Sequence, residues 1–221
     1  MKNVEVIILA AGKSTRMKSD TPKVLHPVCG RPMIGYCLDL VKSLKVNRSV
    51  AVLGYKSEEV KKELGPDIKV AIQKKLLGTA DAVKSALPLL KNSNGTVLVL
   101  YGDTPLLKKE TINKLLTHHI KNNLDATLLT AQQEKPASYG RILRDKYASI
   151  RGIVEEKDAS IVQKDIKEIN TGIICFNKKS LNAALRSVKA DNRKKEFYLT
   201  DTIGIIHKRG GLVEIQITFR G

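Results

Sequence analysis

A strand-like apolar run, VEVIILA, stops at Gly12, and four basic residues (Lys13, Arg16, Lys18 and Lys23) follow within eleven positions. Ala10, Ala11 and Gly12 are small enough for a ligand to lie against the backbone. Arg16 and Lys23 are long enough to reach its anionic groups, Arg as a two-pronged fork and Lys as a point charge. An anionic, phosphate-bearing ligand is the expectation. The stretch is not a dinucleotide fingerprint, because no glycine follows Gly12 until Gly30. It is not a P-loop either: Gly12-Lys-Ser would close one, but the position five residues earlier is Ile7. Hydride transfer and Walker-type hydrolysis both lose ground.

The surrounding chain predicts the elements that hold this stretch. Over the first 130 residues, strand-like segments (VEVIILA, SVAVL at 49–53, IKVAI at 68–72, TVLVL at 96–100, ATLLTA at 126–131) alternate with helix-like ones. Helices are expected from Pro32 in its first turn, from Ser57, after Thr79 and over 109–122. Such alternation implies βαβ units and a mostly parallel, Rossmann-like sheet with helices on both faces, an α/β fold. Ligands of such sheets sit beyond the carboxyl ends of the strands. That rule gathers Ala10–Arg16, Gln73–Thr79 and Tyr101–Asp103 on one rim. From about residue 131 short strands with turns predict a small antiparallel β flap, about 132–167. A buried strand (168–176), helices near 178–187 and 197–208, and a strand at 212–217 complete the series. One domain over 1–221 is the economical reading.

Composition narrows the partners. The 221 residues carry 39 Lys+Arg against 22 Asp+Glu, a formal charge of +17. That surplus favours anionic partners without choosing among nucleotides, sugar phosphates, nucleic acid and anionic lipid. No block of five or six like charges marks a nucleic-acid arm, and with three Phe, six Tyr and no Trp stacking aromatics are scarce. Cys29, Cys37 and Cys175 form no C-x-x-C pair, which argues against a disulfide framework or zinc site and fits a reducing cytoplasm. The apolar run at 6–11 is too short for a signal peptide, and no run approaches a membrane span. His26, His118, His119 and His207 have neither metal-ligand nor triad spacing.

In detail, LAAGKSTRM…PKVLHPVCGRPMI resembles the opening signature of the sugar-1-phosphate nucleotidyltransferases, and within them the bacterial N-acetylglucosamine-1-phosphate uridylyltransferases. QKKLLGTADAV (73–83), LYGDTPLL (100–107), YGRI…GIVEEKDA…EINTGI (139–173) and FYLTD (197–201) extend the likeness, in order, over nearly the whole chain. The resemblance implies the nucleotide-diphospho-sugar transferase fold. It also implies a reaction: UTP and N-acetylglucosamine 1-phosphate give UDP-N-acetylglucosamine, a cell-wall precursor, and pyrophosphate. Leu9, Ala10, Ala11 and Gly12 would contact uracil and ribose, with Gln73, Gly78 and Thr79 at the uracil edge. Arg16 and Lys23 would bind the triphosphate and offset charge on the departing pyrophosphate. Asp103 would hold Mg²⁺, a cation that takes one or two carboxylates plus phosphate oxygens and water. Tyr101, Gly102, Asp103, Gly140, Glu155 and Asn170 would form the sugar pocket. A helix cap at Thr79 or Asp103, and a solvated cation at Lys23, are the non-functional alternatives.

The family pattern continues past this sequence. It places a second metal ligand, an Asn in a G-V-N-x-R segment, beyond the last strand, whereas the chain ends at Thr218-Phe-Arg-Gly221. Bifunctional members go on to a helical arm and a hexapeptide-repeat acetyltransferase. Weak Mg²⁺ and nucleotide binding with impaired turnover is therefore expected, and oligomerisation only with the further domain. Membrane insertion and nucleic-acid binding are not expected. Three other readings stay open: a glucose-1-phosphate uridylyl- or thymidylyltransferase, a non-catalytic UDP-sugar sensor, and a basic nucleic-acid-binding module.

Overall fold

The computed structural model describes residues 3–13, 17–91 and 94–217. A mixed, mostly parallel sheet carries the architecture. Within it β1 (Val4–Ala10) is flanked in parallel by β4 (Arg48–Leu53), beyond which lies β5 (Ile68–Ile72), and by β6 (Thr96–Tyr101). On the other side of β6 stands β10 (Glu168–Asn177), antiparallel to β6 and to β7 (Ala126–Gln132), and β11 (Val213–Ile217) closes that edge parallel to β7. The order is therefore β11-β7-β10-β6-β1-β4-β5.

Alternation along β1 explains why its sequence is apolar throughout. Val4, Val6, Ile8 and Ala10 face one core, and Ile7 and Leu9 the other. β6 divides the same way, Leu98 and Leu100 against Val97 and Val99. The first core is covered by α1 (Met33–Ser43), α2 (Ser57–Lys61) and α4 (Lys109–Lys121), through Ile34, Cys37, Val60, Ile112, Leu115 and Leu116. The second is covered by α3 (Thr79–Ala86), α6 (Lys178–Leu185) and α7 (Asp201–Lys208), through Ala82, Val83, Leu181, Leu185, Ile203 and Ile206. A strand buried on both faces has no polar side to show. Glu5 is the exception in β1: it is fully buried, accepts from the Lys91 amide at 2.7 Å and faces Lys178 at 3.5 Å.

Two expected helix starts move, each for a physical reason. Pro32 lies not in the first turn of α1 but in a small hairpin, β2 (Pro27–Val28) with β3 (Arg31–Pro32). Cys29 and Gly30 both turn left-handed there (φ 49° and 76°), as a type I′ turn requires. Residues 197–200 do not begin α7. The Phe197 amide donates to the Leu77 carbonyl (2.7 Å), the Ala80 amide donates to the Phe197 carbonyl (2.9 Å), and the Leu199 amide donates to Thr79 Oγ1 (2.9 Å). Tertiary partners for these groups outweigh the helical alternative, and α7 starts at Asp201.

The flap consists of β8 (Arg141–Arg144), β9 (Ile150–Val154) and the short α5 (Ile161–Lys164). β8 pairs antiparallel with both β9 and β10, aligning Arg141 with Val154 on one side and with Ile169 on the other. A capping box fixes α5: Ser160 accepts from the Gln163 amide while the Gln163 side chain accepts from the Ser160 amide. Among the described residues no helix is long and apolar enough to cross a membrane.

Candidate active site

The carboxyl ends of β1, β4, β5 and β6 form one rim. Backbone bonds continue past the strands there: the Gly102 amide donates to Leu9 (3.0 Å), Tyr55 to Ala11 (3.0 Å) and Gln73 to Leu53 (2.8 Å). A cleft of about 450 Å³ opens above it. Leu9, Ala10, Ala11, Gly12, Lys23, Gln73, Gly78, Thr79, Tyr101 and Asp103 line it, so three segments far apart in sequence meet as the rim rule requires. Arg16 lies outside the described residues, as do Thr218–Gly221.

Lys23 and Asp103 meet across the cleft, Nζ to Oδ2 at 2.5 Å. Lys23 opens a single 3₁₀ turn, Lys23–Leu25, anchored by buried Val24, and Asp103 follows β6 with only Gly102 between. Asp103 caps no helix, since α4 begins after Lys108. Gln73, 5% exposed, donates both amide hydrogens inward, to the Gly78 carbonyl (3.0 Å) and to Asp81 Oδ2 (2.9 Å). Only its oxygen is left to meet a ligand. Gly78 has φ +114°, and a Cβ there would stand 2.5 Å from the Phe197 carbonyl oxygen, so the position requires glycine. Gly78 itself precedes α3, so Thr79 is not the cap. Its hydroxyl instead accepts from the Leu199 amide, while burial pushes the Tyr101 phenol up beyond its ordinary range.

The remaining expected residues stand beside the cleft. The antiparallel registers through Arg141 put Gly140 and Glu155, just outside β8 and β9, beside Asn170 in β10, and the Asn170 amide donates to the Gly140 carbonyl at 2.9 Å. Asn170 Oδ1 accepts from the Gly172 amide (3.0 Å), bracing the left-handed Gly172 (φ 86°) that packs on the Tyr101 ring. Glu155 Oε1 accepts from Thr200 Oγ1 at 2.9 Å. Burial raises the Glu155 pKa, the Thr200 hydrogen bond and nearby Lys194 oppose the rise, and Asp158 and Glu196 add to it. Gly102 does not line the cleft. It lies beneath it, where its missing side chain lets Val24 approach.

Val24, Leu76, Ala82, Lys194 and Glu196 also line the cleft without being marked out by the sequence, as does Lys13 of the opening basic run. Glu196 directly precedes the FYLTD block, which was a usable signal; Lys194 had none beyond the general lysine excess.

Among the described residues no histidine or cysteine lines the cleft. Its chemistry is that of cations, backbone amides and the carboxylates of Asp103 and Glu196. Among the described residues no group of three or more His, Cys, Asp or Glu could cage a metal. A lone Asp103 fits Mg²⁺, which completes its shell with phosphate oxygens and water rather than with protein ligands.

Fold and cleft together fit a domain of the NTP transferase class. The chain belongs to the MobA-like NTP transferase domain family, whose model matches residues 6–198. It is 48% identical over 207 residues to the bifunctional protein GlmU of Geobacillus sp. (strain WCH70), covering 94% of this chain and 45% of that protein. GlmU of Bacillus cytotoxicus is likewise 48% identical, over 218 residues, 99% of this chain and 48% of the relative. The chain thus spans about half the length of the curated relatives it matches. The crystal structure of HddC from Yersinia pseudotuberculosis shares the fold, with a TM-score of 0.69, 20% identity, and coverage of 97% of this chain and 90% of that one.

Proposed function

We propose that the chain transfers a uridylyl group from UTP to N-acetylglucosamine 1-phosphate, yielding UDP-N-acetylglucosamine and pyrophosphate, with Mg²⁺ as cofactor. The observation that carries this is the Lys23–Asp103 pair facing Gly12, Gln73 and Thr79 across one cleft, in a chain nearly half identical to GlmU proteins. Residues 1–221 act as one uridylyltransferase domain with the flap at about 132–167. Substrates and product are soluble phosphates, so a cytoplasmic setting and a place in cell-wall precursor synthesis go with the reading.

The roles follow from the chemistry. A sugar 1-phosphate is an oxyanion near neutral pH, so it attacks the α-phosphorus without a general base, and pyrophosphate leaves with the electrons of the broken P–O bond. Backbone at Leu9–Gly12 approaches the nucleoside, and the Gln73 oxygen suits the uracil N–H. Lys23, with Arg16, neutralises the triphosphate and the leaving pyrophosphate. Asp103 and phosphate oxygens would hold Mg²⁺, which supplies further charge neutralisation. Tyr101, Gly140, Glu155 and Asn170 receive the sugar, Glu155 accepting from its hydroxyls. Gly102 serves by close packing. Positioning and electrostatics then lower the barrier.

Pyrophosphate release with UTP, Mg²⁺ and a panel of sugar 1-phosphates tests this. Turnover is expected to be fastest with N-acetylglucosamine 1-phosphate and lost in a folded Asp103→Ala variant. Preference for another sugar or for dTTP would change the substrate, and UDP-sugar binding without pyrophosphate release would make the protein a sensor.

A further inference from the structure

Gly140, Glu155 and Asn170 converge because Arg141 sits where β8, β9 and β10 meet, and the Arg141 side chain does something its backbone does not require. Although 3% exposed, its guanidinium reaches no described carboxylate as an ion pair. It is spent on backbone carbonyls: Nε donates to Lys164 (3.2 Å), Nη2 to Ala137 (3.1 Å) and Nη1 to Tyr139. Burying a charge is costly unless hydrogen bonds replace its water, and three carbonyl dipoles in a planar fork do so. Two of those carbonyls belong to the tight loop 136–140, the third to α5.

That loop needs holding. Ala137 is left-handed at φ +44°, a conformation that costs a non-glycine residue energy and persists only where its surroundings enforce it. The loop ends at Gly140, whose carbonyl accepts from Asn170 and where a Cβ would stand 3.6 Å from Glu155 Oε2. Half-exposed Tyr139 precedes it.

We infer that Arg141 is a positioning residue for sugar selection: its guanidinium clamps loop 136–140 to α5 and so fixes Gly140 against Glu155 and Asn170, without touching substrate itself. This deepens the proposed function and rests on the sugar lying along that row. Lysine cannot substitute, because one ammonium on a flexible stem cannot span three divergent carbonyls. Arg144 provides a built-in contrast. It binds Glu168 through Nε and Nη2 (3.0 and 3.1 Å) and Ala148 through Nη1, so these bonds hold the other end of β8 rather than loop 136–140.

The test measures KM for N-acetylglucosamine 1-phosphate and for UTP separately, with circular dichroism as the fold control. In Arg141→Lys, loss of one to two buried hydrogen bonds at the loop predicts a rise of about tenfold in the sugar phosphate KM and a UTP KM within about twofold of wild type. Arg144→Met is expected to lower the melting temperature yet leave both KM values within about twofold. If Arg141→Lys does not fold, Ser160→Ala carries the test: it uncaps α5 at an exposed position, slackens the Lys164 anchor, and is expected to raise the sugar phosphate KM roughly two- to threefold. Unchanged sugar KM in the folded variants, parallel rises in both KM values, or an equal sugar effect in Arg144→Met would each overturn the positioning role. A wild type that releases no pyrophosphate with any sugar phosphate would instead remove the function on which this role depends.

Discussion

Gly78→Ala puts the architecture of the cleft under the most direct strain. Gly78 has φ +114° and ψ 176°, a region open to glycine almost alone, so alanine there carries roughly 1–3 kcal/mol of backbone strain. The new methyl would stand 2.5 Å from the Phe197 carbonyl oxygen and 2.8 Å from its nitrogen. Those are backbone atoms and cannot swing aside. Relief requires residues 197–200 to move, at the expense of the hydrogen bonds from Phe197 to Leu77 and from Ala80 to Phe197, each about 1 kcal/mol net. The two routes give a destabilisation of about 3 kcal/mol, or a melting temperature lower by roughly 6–12 °C for a chain of this size. Activity should fall as well, because the same movement drags Leu199 from Thr79 and Thr200 from Glu155. Gly12→Ala is the matched comparison. A Cβ there meets nothing within 4 Å, so stability should change by less than about 0.5 kcal/mol while nucleotide binding is lost if the ligand lies against that backbone. Thermal and urea denaturation read the first effect, pyrophosphate release the second. A Gly78→Ala protein melting within about 2 °C of wild type would refute the packing argument, and a fully active Gly12→Ala would refute the close approach.

Lys23→Met is expected to lower kcat about 10²- to 10³-fold with a stability change of at most about 1 kcal/mol, since the Lys23 and Asp103 side chains are 36% and 24% exposed; a kcat loss below tenfold in folded protein would show that Lys23 does not act on the departing phosphates. Lys178→Met removes the cation that faces the buried Glu5 carboxylate at 3.5 Å, where Lys178 and Glu5 are 7% and 0% exposed, and is expected to cost about 3–5 kcal/mol. Adding Glu5→Gln should recover much of that, and a double variant as unstable as the single one would contradict the pairing. Burial first, then the Glu155, Asp191 and Asp158 charges, raise Asp201 from the ordinary 3.8 to about 6. Because its folded pKa lies above the unfolded one, the native state holds the extra proton, and this group's contribution to stability falls as pH climbs from 3.8 to about 6. Urea midpoints at pH 5 and pH 7 should therefore differ less in Asp201→Asn than in wild type; an unchanged difference would remove Asp201 as the source.

Much of the architecture was legible in residues that depend only on near neighbours. The apolar runs at 4–10 and 96–101, the glycine that ends the first, and the alternation of strand and helix were enough to gather Gly12, Gln73 and Asp103 on one rim, because parallel strands deliver all their carboxyl ends to the same side. Likeness in the motifs named Gly140 and Glu155 of the flap and Asn170 of β10 but gave no reason for their nearness. That reason lies in two antiparallel registers through Arg141, and register depends on which faces are buried against distant elements. Residues 197–200 read as the start of a helix because the sequence does not reveal that Leu77, Thr79 and Ala80 wait 120 positions away with matching donors and acceptors. Local sequence thus determined which segments are strands and helices and which end of the sheet carries the chemistry. Tertiary structure alone decided the partners of buried polar groups, among them the carbonyls held by Arg141 and the carboxylates of Glu5 and Glu155, since a buried donor or acceptor must find its counterpart wherever in the chain it lies.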